Sequence, residues 1–453
     1  MTPTIVAGLL AALLVAAPKV RPYAVLAFVV LVEQELVPGG HLNDTGPLVS
    51  TGANWYYADT NVGVPAVTAL SVALILMCWS SARKTGSGAI AIGVVCLISW
   101  VIILGASQGD AMRDDLASIQ TLVLLLAAYL SACWLSANDS RDSRQSFRLV
   151  LYGLVIAKAM VGVTVLAAGQ GPQHDGEIPI AFYDSVPLLI AGGAATVAAF
   201  DRSSKPWIRN VALVGAMVLG GVSVRRASLV GVVLVLILGL VAARRASAYL
   251  RIGAVVAVSF VIAIYALPSA MQDITGSIGG AIDGVLGNDS ADTSTLSHLR
   301  DNQAGMHLVL TSPVEGVGVR ARPTVGFVVQ QGDLLYVHNE FLYAWLHFGI
   351  VGLLGILGLI AYSVVCALSV LARRDQGGAP PWALFGSAVL IGCLPGYWFF
   401  PHLLTLDRFA LLFGWSLGAV VSSLPAMREK SLSSVGALER SVRGPRRPEG
   451  RSS

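Results

Sequence analysis

The sequence predicts an all-α polytopic integral membrane protein, with about 12–13 transmembrane helices and one large extracytoplasmic loop that contains short helices. Hydrophobic residues make up 55% of the 453 positions and charged residues only 12%, and the mean hydropathy is +0.72. These values lie outside the usual range of soluble globular domains. In addition, apolar runs of about 17–25 residues, the length that crosses a bilayer, recur along the chain.

The apolar runs define the predicted spans in chain order. The N-terminal run lacks the basic region of a signal peptide and continues into further spans, so we interpret it as membrane structure. The cysteines all lie inside apolar runs, where they are expected to behave as small hydrophobic residues. The spans are predicted at 4–18, 22–37, 64–80, 89–106, 119–136, 149–168, 186–200, 210–224, 227–243, 252–267, 342–372, 382–400 and 404–424.

The placement of Lys and Arg orients these spans, because short basic connections stay in the cytoplasm. Alternate connections carry such clusters, namely Lys19/Arg21, Arg83/Lys84, Arg141/Arg144/Arg148, Arg202/Lys205/Arg209, Arg244/Arg245/Arg251 and Arg373/Arg374. The other face receives segments 38–63, 107–118, 169–185 and 268–341, which are poor in Lys and Arg and therefore predicted to be extracytoplasmic. All seven histidines are expected on that outer side or in the first turns that enter it.

The C-terminal tail differs in composition from the rest of the chain. Residues 1–426 are predicted to form the helical bundle, whereas residues 427–453 are rich in Arg, Ser, Pro and Gly and are expected to be a disordered, basic, cytoplasmic tail. The net charge of +4 mostly reflects this tail and the cytoplasmic loops. It therefore predicts contact with membrane lipids and no binding of nucleic acid.

Two adjacent arginines, Arg225 and Arg226, break the charge pattern at a short turn that the alternation places outside. Their guanidinium groups suit bidentate binding of phosphate, and a lipid-linked diphosphate is the natural ligand. Two alternatives are that they reach lipid head groups, or that the turn lies inside because the topology is shifted by one span.

A second exception is Lys158, near the middle of an apolar span. An ionisable group at that depth is costly, which makes it a functional-site hypothesis. Glu33 and Glu35, near the outer end of the second span, are its possible partners. A buried structural ion pair facing the bundle interior is the alternative to a ligand role.

The outer segment 268–341 is longer than ordinary connections between spans, and loops of this length are usually functional or disordered. Its first part, about 276–294, is flexible in composition, whereas Leu299 to Leu310 has apolar positions compatible with a short amphipathic helix. The chain then reaches His338 shortly before the next span. Arg300 and His338 are thus expected to share one outer surface.

An ordered set of motifs runs from Arg300 to Ile360. It consists of Arg300, an apolar helix, Pro313 with Gly316-Val317-Gly318, and His338-Asn339 leading to Leu342 and to Gly349-Ile350-Val351-Gly352-Leu353. In this order the set resembles the O-antigen ligase and polymerase superfamily, and the paired arginines and many-span layout add independent support. The chain departs from the pattern at Met306-His307, where relatives often carry a Trp.

The resemblance implies a metal-independent membrane glycosyltransferase of the bacterial cytoplasmic membrane. Such enzymes move a glycan from an undecaprenyl diphosphate carrier to a hydroxyl acceptor on the outer side, and need no cofactor. In that family an Arg and a His of the large outer loop are needed for activity, and an Arg on an earlier outer turn binds diphosphate. By motif position these look like Arg300, His338 and either Arg225 or Arg226. The acceptor, a lipid-linked repeat unit, a lipid-anchored glycan or a protein hydroxyl, stays open, as does the choice between polymerase and ligase.

The residue chemistry fits such a reaction. A neutral imidazole at His338 can accept the proton of an acceptor hydroxyl at neutral pH. The arginines would stabilise the charge that develops on the leaving diphosphate without a metal, and single displacement with inversion is the simplest mechanism. Asn339 and Glu340 are expected to orient His338 or bind sugar hydroxyls, although residues of these types at a helix start are as often caps.

Two other functions compete with this hypothesis. In a transporter or flippase of lipid-linked glycans, Lys158, Glu33 and the pair Asp407-Arg408 would line a substrate path. Transporters tend to show internal repeats with interrupted helices at matching positions, which this sequence lacks. A scaffold protein would keep the fold and bind glycan without transferring it. The presence of Arg225, Arg226, Arg300 and His338 together argues against that alternative.

Overall fold

The computed structural model describes residues 17–31, 66–85, 87–108, 112–167, 182, 185–200, 203–223, 293–318, 330–331, 334–335, 337–377, 379–399, 402–405 and 407–442. After a 3-10 turn at Pro18–Val20 come α1 (Arg21–Leu31), α2 (Ala66–Lys84), α3 (Gly88–Gln108), α4 (Met112–Ala137), α5 (Arg141–Ala167), α6 (Val186–Phe200) and α7 (Pro206–Gly221). Then follow α8 (Thr293–Thr311), the strands β1 (Gln330–Gln331) and β2 (Leu334–Leu335), α9 (Glu340–Gly377), α10 (Pro381–Gly392), α11 (Leu394–Phe399), α12 (His402–Thr405) and α13 (Asp407–Val442).

These elements confirm the predicted all-α membrane class. The described strands are two residues each and form one antiparallel pair. Within the described ranges, five helices are long and apolar enough to cross a membrane, and they lie in α3, α4, α5, α9 and α13. The total number of spans stays a prediction, since the expected spans at 4–18, 227–243 and 252–267 lie in the part of the chain that the structure does not describe, apart from residues 17–18.

The centre of the bundle is the contact between α4 and α13, both almost wholly buried. Gly414 and Gly418, four residues apart on α13, lie directly on the backbone carbonyls of Leu125 and Tyr129, four residues apart on α4. A Cβ at either glycine would overlap the facing carbonyl oxygen. Small residues at this spacing allow membrane helices to approach closely, so these two positions set the distance between the central helices.

The remaining helices surround this pair. Helices α2 and α3 pack on α4, whereas α10 packs on α13 and α6, and α9 contacts both α10 and α13. At one end of the bundle, Phe147 stacks on Trp415 with ring centroids 5.6 Å apart and meets Trp382 edge-on at 6.0 Å. This aromatic cluster ties α5, α10 and α13 together.

Arg408, which the transporter hypothesis assigned to a substrate path, has a structural contact. Its side chain is wholly buried, and Nε and Nη2 donate to the carbonyl oxygen of Val29 at 3.2 and 2.9 Å. The residue therefore anchors the end of α1 to α13. Glu33, which that hypothesis also names, and Glu35, the other possible partner of Lys158, lie outside the described residues.

Three predicted elements differ from the structure. The expected span 382–400 is divided at Cys393 into α10 and α11, because Pro395 cannot donate a backbone hydrogen bond and disfavours a helical residue before it. The last span begins at Asp407 rather than at residue 404, after the separate turn of α12. The backbone of α13 continues as helix to Val442, whereas disorder is predicted from residue 427; Glu, Lys, Leu and Ala in 428–441 favour the helix locally.

Candidate active site

The site begins with the packing of α8 against the start of α9. Asp301, Gly305 and Val309 recur every four residues on α8, which places them on one face, and all three are buried. A Cβ on Gly305 would lie 2.5 Å from Cγ1 of Val337, so the backbone of α8 runs directly over the residue that precedes His338. The amphipathic helix predicted over Leu299–Leu310 is confirmed, and its buried side faces the histidine.

The same face brings a carboxylate to the imidazole of His338. Nε2 of His338 lies 3.2 Å from Oδ2 of Asp301, with the two side chains 14% and 3% exposed. The amide of Asn302 donates to the carbonyl oxygen of His338 at 3.4 Å. The histidine is thus held at its ring and at its backbone by neighbouring residues of one helix.

Asp301 has an unusual electrostatic environment, because its carboxyl is almost wholly buried. Burial raises the pKa of its carboxyl above the usual value. The imidazole opposes this cost, because an imidazolium beside the carboxylate would stabilise its charge. In the described part of the chain, no group of three or more His, Cys, Asp or Glu is placed to hold a metal ion.

The two residues after His338 fix the start of α9. Oδ1 of Asn339 accepts from the backbone N–H groups of Phe341 and Leu342, both at 3.0 Å, which is the geometry of a helix N-cap. The carboxylate of Glu340 is wholly buried and accepts from the N–H groups of Leu403 and Leu404 at 2.8 and 3.1 Å.

These contacts match the capping alternative, although for Glu340 the capped helix is α12 rather than its own. The contact therefore connects the histidine segment to the region before α13. A role of either side chain in binding substrate stays a prediction.

A break in α9 shapes the other side of the site. Gly349 has φ 66° and ψ −167°, so the helix is interrupted within the predicted span. In a regular helix the N–H of Ile350 would donate to the carbonyl of Leu346. Here it donates instead to the carbonyl of Val314 at 3.1 Å, and the carbonyl of Leu346 accepts from Val317 at 2.7 Å. The turn after α8 is therefore inserted into the hydrogen bonding of α9.

The glycines of this turn are required by the close approach. Gly316 has φ 75°, and a Cβ there would lie 2.6 Å from the carbonyl oxygen of Leu346. A Cβ on Gly349 would overlap the carbonyl oxygen of Val314. Both glycines belong to the motifs that carry the family resemblance, and their physical role is to let two backbones meet.

Side-chain hydrogen bonds reinforce the inserted turn. Nε1 of Trp345 donates to the carbonyl of Pro313 at 2.8 Å. Nδ1 of His347, which is buried, lies 2.9 Å from the carbonyl oxygen of Gly318. Each of these bonds joins the first part of α9 to the chain that leaves α8, so the position of α8 relative to His338 is fixed by many contacts.

Arg300 precedes Asp301 on α8 and its side chain is exposed. The contact of Asp301 with His338 places Arg300 and His338 in the same neighbourhood, as expected from the sequence. Arg225 and Arg226 lie outside the described residues.

Lys158 is buried, and its Nζ lies 4.1 Å from the centroid of the Phe182 ring, a cation–π contact. One turn further along α5, a Cβ on Gly162 would meet the Phe182 ring and Val222 at the end of α7. Lys158 thus lies on the side of α5 that faces the chain entering the Arg225-Arg226 segment.

Sequence reasoning did not single out Asp301 as a site residue. Its partner is far away in sequence, and a single Asp beside an Arg is weak evidence. The usable signal was its position on the buried face of α8, in register with Gly305 and Val309. A charged residue on the apolar face of a predicted helix requires a partner, and His338 provides one.

A protein-family model matches part of the chain. Residues 210–357 match the family described as O-antigen ligase. The matched range contains α8, the inserted turn, His338 and the break in α9. No curated protein matches the chain.

Proposed function

Since the chain belongs to the O-antigen ligase and polymerase superfamily, as the match over residues 210–357 shows, we propose that it transfers a glycan from an undecaprenyl diphosphate carrier to an acceptor hydroxyl. The general activity of this family is that of a membrane glycosyltransferase of O-antigen ligase or polymerase type. The donor, the metal-independent mechanism, the outward-facing site and the bacterial inner membrane are parts of the proposal.

The observation that carries the proposal is the packing of α8 on the residue before the span. It brings the helix that bears Arg300 against His338, through the Asp301 contact at 3.2 Å. A guanidinium and an imidazole on adjoining elements at a membrane face are the two groups that the reaction needs.

In the proposed step, the acceptor hydroxyl oxygen attacks the anomeric carbon of the donor sugar. The bond from that carbon to the diphosphate oxygen breaks, its electron pair leaves with the lipid diphosphate, and the hydroxyl proton goes to His338. A base in position contributes roughly 10²–10⁴ in rate. Attack from the face opposite the leaving group inverts the anomeric configuration.

The cationic residues would act on the leaving group. Arg300 is exposed, so its guanidinium is available to bind the diphosphate of the donor. Arg225 and Arg226 are proposed as the ligands contributed by the earlier outer turn. Lys158, buried against Phe182, would contact the donor deeper in the bundle. Asn339 and Glu340 would support the site mainly through the backbone they cap.

The test is glycan transfer in proteoliposomes supplied with an undecaprenyl diphosphate glycan and an acceptor. We expect His338→Ala and Arg300→Ala to lose transfer by 100-fold or more, on the order of the value of a positioned base or charge. His307→Ala is the matched control, because His307 is an exposed histidine on α8, the helix that carries Arg300. Unchanged transfer by His338→Ala would refute the assignment of the base.

The same proteoliposomes distinguish a glycosyltransferase from a transporter of the lipid-linked glycan. A flippase would change the side on which the lipid-linked glycan is found, without forming a new glycosidic bond. If the intact protein moves the lipid and no transferred product appears with any acceptor, the glycosyltransferase proposal fails.

A further inference from the structure

We propose that Asp301 is a positioning residue, whose buried carboxylate holds the imidazole of His338 in place and stabilises the imidazolium that forms when His338 accepts the acceptor proton. The inference rests on the proposed function, and it adds a residue that the family resemblance did not supply. In this arrangement Asp301 acts through His338 and does not itself contact the substrate.

The contact between the two side chains is that of an ion pair. Nε2 of His338 lies 3.2 Å from Oδ2 of Asp301. Among the described residues, no donor has hydrogen-bond geometry toward that Oδ2, so the interaction with the imidazole is electrostatic. A carboxylate at this distance favours the protonated form of the ring.

The packing of α8 holds the carboxylate of Asp301 beside the imidazole. The side chain of Asp301 is 3% exposed and lies on the face of α8 that also contains Gly305. The close contact of Gly305 with Val337 and the bond from Asn302 to the carbonyl of His338 prevent α8 from sliding along the histidine segment. Neither partner can leave the pair without moving a helix.

The other charged groups near His338 do not replace Asp301. On α8, Arg300 and His307 are exposed. On α9, the carboxylate of Glu340 is bonded to the amides of Leu403 and Leu404, and His347 faces Gly318. On α13, Arg408 is bonded to a backbone carbonyl. Asp301 is thus the acid that, among the described residues, faces the imidazole.

The contact acts through charge. When His338 accepts the acceptor proton it becomes an imidazolium, and the carboxylate of Asp301 then stabilises it at contact distance. Replacing the carboxylate by an amide removes this stabilisation. The expected loss in kcat is about 10²–10³-fold, within the range of acid–base catalysis.

The experiment compares Asp301→Asn, Asp301→Glu and Glu315→Gln in the proteoliposome transfer assay. Glu315 is an exposed acid four residues after the end of α8 and is the matched control. We expect Asp301→Asn to lower kcat with little change in KM for the donor and to move the acid limb of the kcat–pH profile to lower pH. Asp301→Glu should recover part of kcat, and the control should behave as the unmodified protein.

A double variant separates this inference from the proposed function. If Asp301 acts through His338, adding Asp301→Asn to His338→Ala causes little further loss. Equal losses of kcat and donor binding in both Asp301 variants, with an unshifted pH profile, would assign Asp301 to folding and overturn the inference. If His338→Ala has no effect on transfer, the assignment of His338 as the base is refuted, whatever the Asp301 variants show.

Discussion

Replacement of Gly349 by alanine tests the role of the break in α9. An added Cβ would overlap the carbonyl oxygen of Val314, a backbone atom that cannot move away by changing rotamer. The inserted turn must therefore leave the helix. The two exchanged hydrogen bonds, Ile350 to Val314 and Val317 to Leu346, would be lost from the docked arrangement.

The size of the effect follows from these two contributions. Two backbone hydrogen bonds are worth about 0.5–1.5 kcal/mol each, and the backbone angles of Gly349, which almost only glycine adopts, cost an L-residue about 1–3 kcal/mol. The docked turn should therefore lose about 3 kcal/mol relative to the undocked turn. At about 1.4 kcal/mol for each tenfold change, the undocked population rises roughly 100-fold.

Limited proteolysis measures this population directly. Glu315 lies in the inserted turn and its side chain is exposed, so a protease that cleaves after Glu can act there once the backbone is released. When reclosing is fast, the cleavage rate follows the population of the open state. We expect Gly349→Ala, in lipid nanodiscs, to be cleaved after Glu315 roughly 100-fold faster than the unmodified protein.

Gly358→Ala is the matched control, because it changes a glycine of the same helix where an added Cβ meets nothing within 4 Å. Its cleavage rate should be unchanged. If Gly349→Ala is cleaved no faster than Gly358→Ala and transfers glycan normally, the turn does not depend on this glycine, and the account of the break is wrong.

Three further changes test the supports of the site. Glu340→Gln replaces one of two accepting oxygens by an amide donor that would face a backbone N–H. The free energy of unfolding in detergent should therefore fall by about 1–3 kcal/mol. An unchanged melting temperature would refute a structural role. Asn339→Ala removes the N-cap and should cost about 1 kcal/mol, with KM for the donor unchanged, whereas Asn339→Ser should recover most of it; a raised KM would instead indicate contact with substrate. Gly414→Leu would drive a side chain into the backbone of α4 at Leu125 and should abolish the folded, monodisperse protein in detergent, whereas Gly358→Leu should not.

The sequence predicts the coarse architecture well, because hydropathy reports directly on the cost of placing side chains in lipid. The helix that carries Arg300 is also predictable, since its apolar positions repeat with helical spacing. The division of the span 382–400 could be foreseen from Pro395, although a proline within a membrane span is often tolerated. Local patterns therefore account for the elements and for much of their boundaries.

Local sequence patterns do not predict contacts between residues that are far apart in the chain. From the sequence, Glu340 is expected to cap the start of its own helix. In the structure its carboxylate instead accepts from the backbone N–H groups of Leu403 and Leu404. Gly316 and Gly349 are recognisable as parts of motifs, but only the fold reveals that their backbones meet. Asp301 needed a partner that no sequence pattern identifies. Pairings of this kind depend on how α8, α9 and α12 are packed, and that packing is a property of the whole bundle.

The first part of α9 is fastened at both ends, by Glu340 to residues 403 and 404 and by Leu346 to Val317. Each added residue in a helix turns the chain by about 100° and lengthens it by about 1.5 Å. One residue inserted between 341 and 345 would point His338 away from Asp301. Among natural variants of this chain, length differences should therefore accumulate beyond Gly358 or in the segment before α8, while the interval from His338 to Gly349 keeps a constant number of residues.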